Sequence, residues 1–433
     1  MKLRKIENID TTMFEQGIPI MAQLRDHHST TKAETMFYDL TIKLCNEVMS
    51  AVKGGRPFVT NVMSFPTEIY WAMDIAGIEY DFIAGMFSLY MGNKDEIFTA
   101  AKSIGIRPEI CSAQRAPIGW FAKGWFPKPN AIVNTSLCQC DNCAQNANIM
   151  GALYDVPVFC ITRPYLFWTQ KGLDFMIEEM KAAIEFLEKT TGQKMDYDKL
   201  TEATRLTKKQ MEISVEIHNL IKTARPNPVK SGTGFLIHFI RMMFAGRQEG
   251  VDYCQAFLDE MKERVASGKG YTPEEKYRLV SCYTFPPGMH GLLDWMETQG
   301  ATLVAEPMYH YYNEAEVAKI DPLKPIEALA RIFYTEPYHG FYGPYEVFSD
   351  MIINDSIQSG VDGAVNFFNT NCRMCGAVSR LIKDQLREKA GISTLTVDVD
   401  VMENSAAVEE ELKKKLEQFF LVLDNAKNKR KVA

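Results

Sequence analysis

The amino-acid sequence predicts an α/β protein with two domains built on parallel sheets and a helical segment in the middle of the chain. From about Thr35 to Cys160, short apolar runs alternate with amphipathic segments, a pattern typical of parallel strands covered by helices. The alternation stops for about a hundred residues, where long helical patterns replace the strand signals, and then resumes. We therefore predict an N-terminal α/β domain at 1–165, a helical segment at 166–275 and a C-terminal α/β domain at 276–433.

The elements of the N-terminal domain follow from local patterns. The segment KDEIFTAAKSIG predicts a helix, because its apolar residues recur at helical spacing, and PTEIYWAMDIAG is also amphipathic. Four apolar runs have the length of buried strands, namely PFVTNVMS, YDFIAG, AIVNTS and PVFCIT.

The rest of the chain is interpreted in the same way. Two long helical patterns dominate the middle segment, GLDFMIEEMKAAIEFLEKTTG and VDYCQAFLDEMKERVASGKG. The C-terminal domain begins with the strand-like run YRLVSC, and further runs of this type are ATLVAEP, GAVNFF and STLTVDVD. Amphipathic segments separate or follow them, namely HGLLDWMETQG, PIEALARIFY, VSRLIKDQLREKAG and AAVEEELKKKLEQFFLVLDNA.

Composition and charge exclude several classes of protein. The 433 residues and the 46% hydrophobic content suit two or three domains with substantial cores. The net charge of −7 argues against a nucleic-acid-binding surface, and the basic end KNKRKVA is predicted to be a solvated tail. Nowhere do eighteen uncharged apolar residues run together, and no apolar stretch follows the basic N-terminus. We expect a cytoplasmic protein without a membrane span.

Nucleotide-binding motifs are missing from the sequence. No G-x-G-x-x-G follows a predicted strand, and no Walker-type G-x-x-x-x-G-K-[ST] is present. We therefore expect this chain to bind no nucleotide through these motifs. If ATP is required, another protein must hydrolyse it.

Three cysteines are predicted to lie where a strand hands over to a helix. Cys111 lies in IRPEICSAQR, Cys140 follows AIVNTS, and Cys372 follows GAVNFF. Strand ends in an open α/β sheet converge on one crevice, and helix N-termini favour the thiolate that a metal needs. These cysteines point to a shared iron–sulfur site at the interface between the two α/β halves. Three ligands would leave one iron of a [4Fe–4S] cubane open to substrate.

Other arrangements of the cysteines remain open at this stage. Cys138 and Cys143 complete C-x-C-x-x-C around Cys140, and Cys375 completes C-x-x-C with Cys372. Clustered cysteines of this kind indicate metal ligands, but the spacing is shared with zinc sites, so a zinc-stabilised binding protein is one alternative. A redox dithiol at Cys372 and Cys375 is another. Cys282 ends the run YRLVSC without a clustered partner in the sequence.

The order and spacing of these motifs resemble the 2-hydroxyacyl-CoA dehydratase family, which includes the class I benzoyl-CoA reductases. SFPTEIYWAMDIAG, with Pro66 and Glu68, is similar to the family's Pro-x-Glu entry helix, and Cys140 is in register by its distance to Pro157. The likeness spans nearly the whole chain and includes Asp398 and Asp400, an acidic pair at a strand end. It departs from the family at Ser393, which replaces a proline, and at Lys415, which replaces an arginine.

The resemblance implies a fold, a cofactor, partners and a reaction. The fold is two flavodoxin- or Rossmann-like domains with a helical segment. The chain would be one subunit of a heterodimer with a homologous second subunit, served by a separate ATP-hydrolysing [4Fe–4S] activator protein. An acyl-CoA substrate would take up one electron at its thioester carbonyl, and the resulting ketyl radical anion would expel a 2-hydroxyl group. Aromatic ring reduction, as in benzoyl-CoA reductases, is the alternative activity.

The resemblance also implies a ligand set and candidate catalytic residues. Cys111, Cys140 and Cys372 would bind one [4Fe–4S] cluster. A double-cubane [8Fe–9S] cluster is the alternative, because Cys138, Cys143 and Cys375 bring the thiols to about the six that it would need. Candidate proton donors and orienting groups share an acidic, basic or imidazole side chain, and they are Glu68, Arg115 and His339, with His290 and His310 as further histidines.

Overall fold

A computed structural model of the chain describes residues 4–62, 65–135, 140–164, 168–283, 285–306, 312–335 and 345–432. Its helices are, in chain order, α1 (Thr12–His28), α2 (Lys32–Gly54), α3 (Glu68–Ala72), α4 (Tyr80–Tyr90), α5 (Lys94–Ser103), α6 (Ser112–Lys123), α7 (Asp141–Tyr154), α8 (Gln170–Thr191), α9 (Tyr197–Thr223), α10 (Thr233–Met243), α11 (Gln248–Ala266), α12 (His290–Thr298), α13 (Glu314–Ala318), α14 (Pro325–Thr335), α15 (Tyr345–Gln358), α16 (Arg373–Ala390) and α17 (Ala406–Val432).

The first sheet has four parallel strands, β1 (Phe58–Asn61), β2 (Ala76–Glu79), β3 (Ala131–Thr135) and β4 (Val158–Ile161). Their order is β2-β1-β3-β4, which matches the first four strands of a flavodoxin-like sheet. Every residue of β1, β2 and β3 is buried because helices cover both faces of such a sheet. The strand order reverses between β1 and β3, and the carboxyl ends of these two strands flank the crevice where such sheets bind ligands.

The second sheet repeats this topology. Its strands are β5 (Tyr277–Ser281), β6 (Ala301–Ala305), β7 (Gly363–Asn369) and β8 (Ser393–Val399), all parallel, in the order β6-β5-β7-β8. The reversal here lies between β5 and β7. Residues that follow these two strands are therefore neighbours at the crevice edge of the sheet.

The described residues form two compact units. One takes its residues from Met1–Ile213, Phe239–Phe257 and Tyr312–Gly343, and it contains the first sheet. The other takes its residues from Ser214–His238, Leu258–Tyr311 and Pro344–Ala433, and it contains the second. The two domain boundaries that the sequence predicts, at 165 and 275, stay a prediction.

Each unit has its own apolar core. In the first, Val59 and Val133 of the sheet belong to one buried cluster with Met176 of α8 and Phe333 of α14. In the second, Leu279 and Phe367 of the sheet share a cluster with residues of α12 and α17. Burial of these side chains provides the main stabilisation of each sheet, because apolar area removed from water contributes roughly 25 cal/mol per Å².

The predicted α/β class with its helical middle is confirmed. The runs PFVTNVMS, AIVNTS and PVFCIT contain strands of the first sheet, and all four runs of the C-terminal domain contain strands of the second. Between β4 and β5 the described residues form helices α8 to α11 and no strand. Among these apolar runs, the strand prediction for YDFIAG is wrong: YDFIAG begins α4, and the strand is the preceding AGIE, β2. None of the described helices is long and apolar enough to cross a membrane.

Candidate functional site

Cys140 and Cys143 lie at the start of α7, which follows strand β3, as the sequence predicts for Cys140. Cys140 is the N-cap of the helix, after β3, and Cys143 is buried in its first turn. The Cys143 thiol donates a hydrogen bond to the Cys140 sulfur, and the backbone N–H groups of Asn142 and Cys143 add to it, so the pKa of Cys140 is lowered. The same hydrogen bond, with burial, raises the pKa of Cys143 well above its usual value. Cys140 is therefore the thiol of this pair that favours the anionic form that metals bind.

Cys111 is also a helix N-cap, but no strand leads into it. It is buried and caps α6, and the element before it is helix α5, which ends at Ser103. The predicted strand in IRPEIC is wrong. Pro108 has no N–H to donate to a sheet, Arg107 and Glu109 beside it are charged, and no described strand pairs with this segment.

Buried amides fix the two helix starts relative to each other. Asn146 Nδ2 on α7 donates to the backbone oxygen of Gln114 on α6 at 2.7 Å and to its Oε1 at 2.8 Å. Asn134 Nδ2 at the end of β3 donates to the Cys143 carbonyl at 2.6 Å. The negative charges of Cys140 and Cys111 both contribute to the raised pKa of Cys143, so both lie within electrostatic range of Cys143.

Tyr80 and Asp81, where β2 ends and α4 begins, are further members of this group. Both are buried, and the Asp81 carboxylate contributes to the raised pKa of Cys143. The pKa of Tyr80 is raised well above its usual value, first by burial and then by the charges of Cys143 and Asp81. The sequence did not single out either residue, because YDFIAG was predicted to be a strand. Asp81, two residues after the end of AGIE, was the available signal.

Arg115 supports the segment that precedes Cys111. Its side chain is buried, its Nε donates to the Ile110 carbonyl at 2.8 Å, and its guanidinium lies 4.6 Å from the centre of the Phe98 ring. The backbone N–H of Arg115 bonds the Cys111 carbonyl at 3.0 Å. These contacts hold the first turn of α6 and bring a positive charge close to Cys111.

Cys372 lies in the other unit, and it is again a helix N-cap. It lies three residues after the end of β7 and directly precedes α16, as predicted. Its Sγ accepts the backbone N–H of Cys375 at 3.4 Å, and the hydroxyl oxygen of Tyr283 lies 3.3 Å from the same sulfur. Two polar groups and the start of a helix therefore surround a sulfur that, as a thiolate, would be negatively charged.

Backbone bonds hold the NTNC loop that carries Cys372. Its own N–H bonds the Asn369 carbonyl at 3.0 Å, and the N–H of Thr370 bonds the Val399 carbonyl at 3.1 Å. Asn371 Nδ2 donates to Asp400 Oδ2 at 3.0 Å. Asp400 also accepts the N–H groups of the two residues that follow Val401, so this member of the acidic pair organises the loop after β8. Asp398 is exposed.

Cys375 and Cys282 favour the protonated thiol. Burial raises the pKa of Cys375 to about 12, and the charge of Cys372 adds to the effect. Burial also raises the pKa of Cys282, with a contribution from Cys375, so these two thiols are neighbours. Cys282 has no clustered partner in the sequence, yet its position after β5, next to β7 in the sheet, was a signal.

Glu68 is the first residue of α3, and it is only 2% exposed. Its Oε1 accepts a hydrogen bond from Thr207 Oγ1 at 2.6 Å, while its Oε2 has no hydrogen-bond partner among the described residues. Burial raises the pKa of Glu68, and the Thr207 bond opposes that shift only in part. None of the contacts recorded for Glu68 in the described residues involves a cysteine.

Some of the candidate site residues predicted from the sequence lie outside the described ranges. Cys138, His310 and His339 are not among the described residues, and of His290 only the position at the start of α12 is described. None of the nine described cysteines takes part in a disulfide. Within the described ranges, no three His, Cys, Asp or Glu side chains are grouped so that they could hold a metal ion.

The thiols present nevertheless suit an iron–sulfur cluster chemically. Such clusters are bound by thiolates, and the hydrogen bonds to Cys140 and Cys372 favour that form. A cubane also attaches each cysteine to a different iron, so its ligands do not have to meet at one point.

One family model and two known proteins match most of this chain, and all three are described as acyl-CoA dehydratases. A family model described as 2-hydroxyglutaryl-CoA dehydratase, D-component, matches residues 62–423. The (R)-phenyllactyl-CoA dehydratase alpha subunit of Clostridium sporogenes is 22% identical over 391 residues, covering 85% of this chain and 90% of that protein. The (R)-2-hydroxyisocaproyl-CoA dehydratase alpha subunit of Clostridioides difficile is 19% identical over 415 residues, covering 92% and 97%.

Proposed function

The chain belongs to the 2-hydroxyglutaryl-CoA dehydratase D-component family and is therefore an enzyme, and on this premise we propose that it is the iron–sulfur subunit of an ATP-activated (R)-2-hydroxyacyl-CoA dehydratase. The observation that carries the proposal is that all three predicted ligands, Cys111, Cys140 and Cys372, are helix N-caps. A helix N-terminus offers free N–H groups and partial positive charge to an anionic sulfur. As an enzyme of this family, the chain is not a zinc-stabilised binding protein.

We propose that these three cysteines bind a single [4Fe–4S] cluster. Support for a single cluster comes from position, because Cys111, Cys140 and Cys372 are helix N-caps, whereas Cys143 and Cys375 lie inside the first turns of α7 and α16. The double-cubane alternative requires these two residues as further ligands, and it has less support for that reason.

The proposed reaction is elimination of water from a 2-hydroxyacyl-CoA thioester. When bound, the cluster supplies a single electron of very low potential. With that electron on the thioester carbonyl, the substrate becomes a ketyl radical anion, its C2–O bond breaks, and the hydroxyl leaves as water after taking a proton. Loss of a C3 proton and return of the electron then give the 2-enoyl thioester. The sum is redox-neutral, so the activating electron can be used again.

The residues of this chain would bind, orient and donate protons. We propose that Glu68 is the proton donor to the leaving hydroxyl, since its burial favours a neutral carboxylic acid. Arg115 would act as an orienting group, because its contacts hold the segment before Cys111 in place. His339 stays a prediction from the sequence. Buried surroundings would also keep water away from a radical intermediate.

The proposal includes two protein partners. Both relatives are named as alpha subunits, which implies a partner subunit. We propose that this partner is homologous to the chain, and that a separate ATP-hydrolysing [4Fe–4S] activator delivers the electron. Ring reduction of the benzoyl-CoA type has less support, since the relatives are dehydratases.

The experiment is anaerobic purification of the chain with its partner subunit, followed by iron and acid-labile sulfide analysis. We expect about four iron atoms bound by this chain. With activator and ATP, the complex should convert an (R)-2-hydroxyacyl-CoA to the enoyl-CoA. A chain that binds no iron would refute the cluster, and an iron-loaded complex that reduces benzoyl-CoA but dehydrates no hydroxyacyl-CoA would refute the reaction.

A further inference from the structure

The contact between Tyr283 and Cys372 leads to a role for a residue that the sequence did not single out. We propose that Tyr283 is a positioning residue that donates a hydrogen bond to the Cys372 sulfur and thereby raises the reduction potential of the cluster which that sulfur binds. The observation is the distance of 3.3 Å between the Tyr283 hydroxyl oxygen and Cys372 Sγ. This inference rests on the proposed function, because it needs Cys372 as a cluster ligand.

The direction of the hydrogen bond follows from the chemistry of the ligand. Between a tyrosine hydroxyl and a free thiol, either group can donate. A cysteine bound to iron is a thiolate and has no proton, so only the Tyr283 hydroxyl can then donate. A hydrogen bond to an ionised acceptor is roughly twice as strong as one between neutral groups.

The sheet places the Tyr283 ring beside this sulfur. Tyr283 lies two residues after β5, and Cys372 lies three residues after β7, the neighbour of β5 at the reversal of strand order. The N–H of Cys282 bonds the Val365 carbonyl at 2.9 Å, so the pairing of the two strands continues to the residue before Tyr283. The Ser281 hydroxyl also donates to the Tyr283 carbonyl. The backbone on both sides of the contact is therefore held.

Burial strengthens the electrostatic effect of the Tyr283 hydroxyl on the Cys372 sulfur. Tyr283 is 8% exposed, and water has little access to compete for its hydroxyl. The Cys375 N–H already donates to the same sulfur at 3.4 Å. A second donor withdraws further charge from the sulfur, and hydrogen bonds to cluster sulfurs are among the factors that set cluster potentials. The reduced cluster carries one more negative charge, so donors stabilise it and raise the potential.

The experiment compares two Tyr→Phe variants in the iron-loaded complex. Tyr283→Phe removes the hydroxyl and keeps the ring. The matched control is Tyr277→Phe at the start of β5, where an equally buried ring loses a hydroxyl that bonds Asp424 at 3.0 Å. Iron analysis should give the wild-type iron content in both variants. Redox titration followed by EPR should show a midpoint potential shifted to a more negative value only in Tyr283→Phe. Equal potentials in Tyr283→Phe and wild type would overturn the inference.

A second measurement covers the case in which Tyr283→Phe loses its iron. Replacement of Tyr283 by 3-fluorotyrosine keeps the ring and the hydroxyl but makes the hydroxyl a stronger donor. The midpoint potential should then shift to a less negative value, and no shift or the opposite shift would overturn the inference. The two failures are distinct: wild type without iron refutes the cluster itself, whereas iron-loaded wild type with an unaffected Tyr283→Phe variant refutes only the role of Tyr283.

Discussion

The Thr207 hydroxyl on α9 donates a hydrogen bond to Glu68 on α3, with 2.6 Å between Oγ1 and Oε1. This is a long-range contact, since 139 residues separate the two in the chain. It satisfies one carboxyl oxygen, and the other is buried without a hydrogen-bond partner among the described residues. Burial without full hydrogen bonding disfavours the carboxylate and raises the pKa of Glu68. The site therefore favours a neutral carboxylic acid.

The first prediction concerns Glu68→Gln. The raised pKa means that the folded state binds this proton more tightly than the unfolded state. The stabilisation that this bound proton provides is complete below pH 4.5, the ordinary pKa of a glutamate. It is lost as the pH rises through the pKa of the folded state. Glutamine does not titrate, so the free energy of unfolding of the variant should fall less over this range. Chemical denaturation at a series of pH values measures it, and identical pH profiles would contradict the prediction.

Glu68→Gln should also lower turnover if Glu68 donates a proton. We expect a loss of about 10²-fold or more in kcat, since this is the usual contribution of a positioned general acid. The control is Thr207→Val, which removes the donor to Glu68 but leaves the carboxyl in place. This control should lose about 1 kcal/mol of stability and retain most of its activity. Full activity in Glu68→Gln with a bound cluster would exclude the catalytic role.

Gly246 provides a test of how tightly Glu68 is packed. Its φ is +77°, a left-handed conformation, and an added Cβ would lie 2.7 Å from Glu68 Cγ and 2.9 Å from Ala203 Cβ. We expect Gly246→Ala to lose about 2–4 kcal/mol of stability through backbone strain and overpacking together. The matched control Gly268→Ala has φ +65° but open space around the Cβ, so it should lose only about 1–2 kcal/mol. Equal losses of stability would show that the side chains of Glu68 and Ala203 move aside for the added Cβ at little cost in free energy.

Alanine variants of the cysteines test the ligand set. Cys111→Ala, Cys140→Ala and Cys372→Ala should each lose iron, because each removes a proposed ligand at a helix N-cap. Cys143→Ala and Cys375→Ala are the controls, and they should keep about four iron atoms per chain. Iron and sulfide analysis of anaerobically purified protein measures the outcome. About eight iron atoms in wild type, with loss in either control, would support the double cubane.

The sequence was sufficient to place a candidate residue where that placement depends only on the local pattern of strand and helix. Cys140 and Cys372 were placed correctly because each follows an apolar run that forms a strand and precedes an amphipathic helix. Cys111 was placed correctly at a helix start, but its preceding strand was wrong. The crossover from β2 to β3 contains three helices, and the sequence pattern does not reveal that Cys111 follows helix α5 instead of a strand.

The contacts that define each site depend on strand order, which local patterns do not encode. Tyr283 and Cys372 are 89 residues apart, and they meet only because β5 and β7 are neighbours. Asp81 lies within electrostatic range of Cys140 and Cys143 because β2 ends at Glu79 and α4 begins where a strand was predicted.

Two buried carboxyl groups hold the turn before α10. Ser231 N–H donates to Glu297 Oε1 at 2.7 Å, and Gly232 N–H donates to Glu306 Oε1 at 2.9 Å. Burial raises the pKa of each from 4.5 to about 7, although these backbone bonds oppose the shift. The charge of Glu297 raises the pKa of Glu306 further, while Lys230 lowers and Asp294 raises that of Glu297.

The last prediction is that the stabilising contribution of these two carboxyl groups is lost as pH rises from 4.5 to about 7. In that range the folded state holds protons that the unfolded state has released, so each carboxyl can cost at most about 1.4 kcal/mol per pH unit. Glu306→Gln should flatten the profile, because a neutral amide keeps the bond to Gly232 and has no proton to lose. Glu263→Gln, an exposed position on α11, is the control and should follow wild type. Urea unfolding across this range measures the slope, and a wild-type slope in Glu306→Gln would show that Glu306 titrates alike in both states.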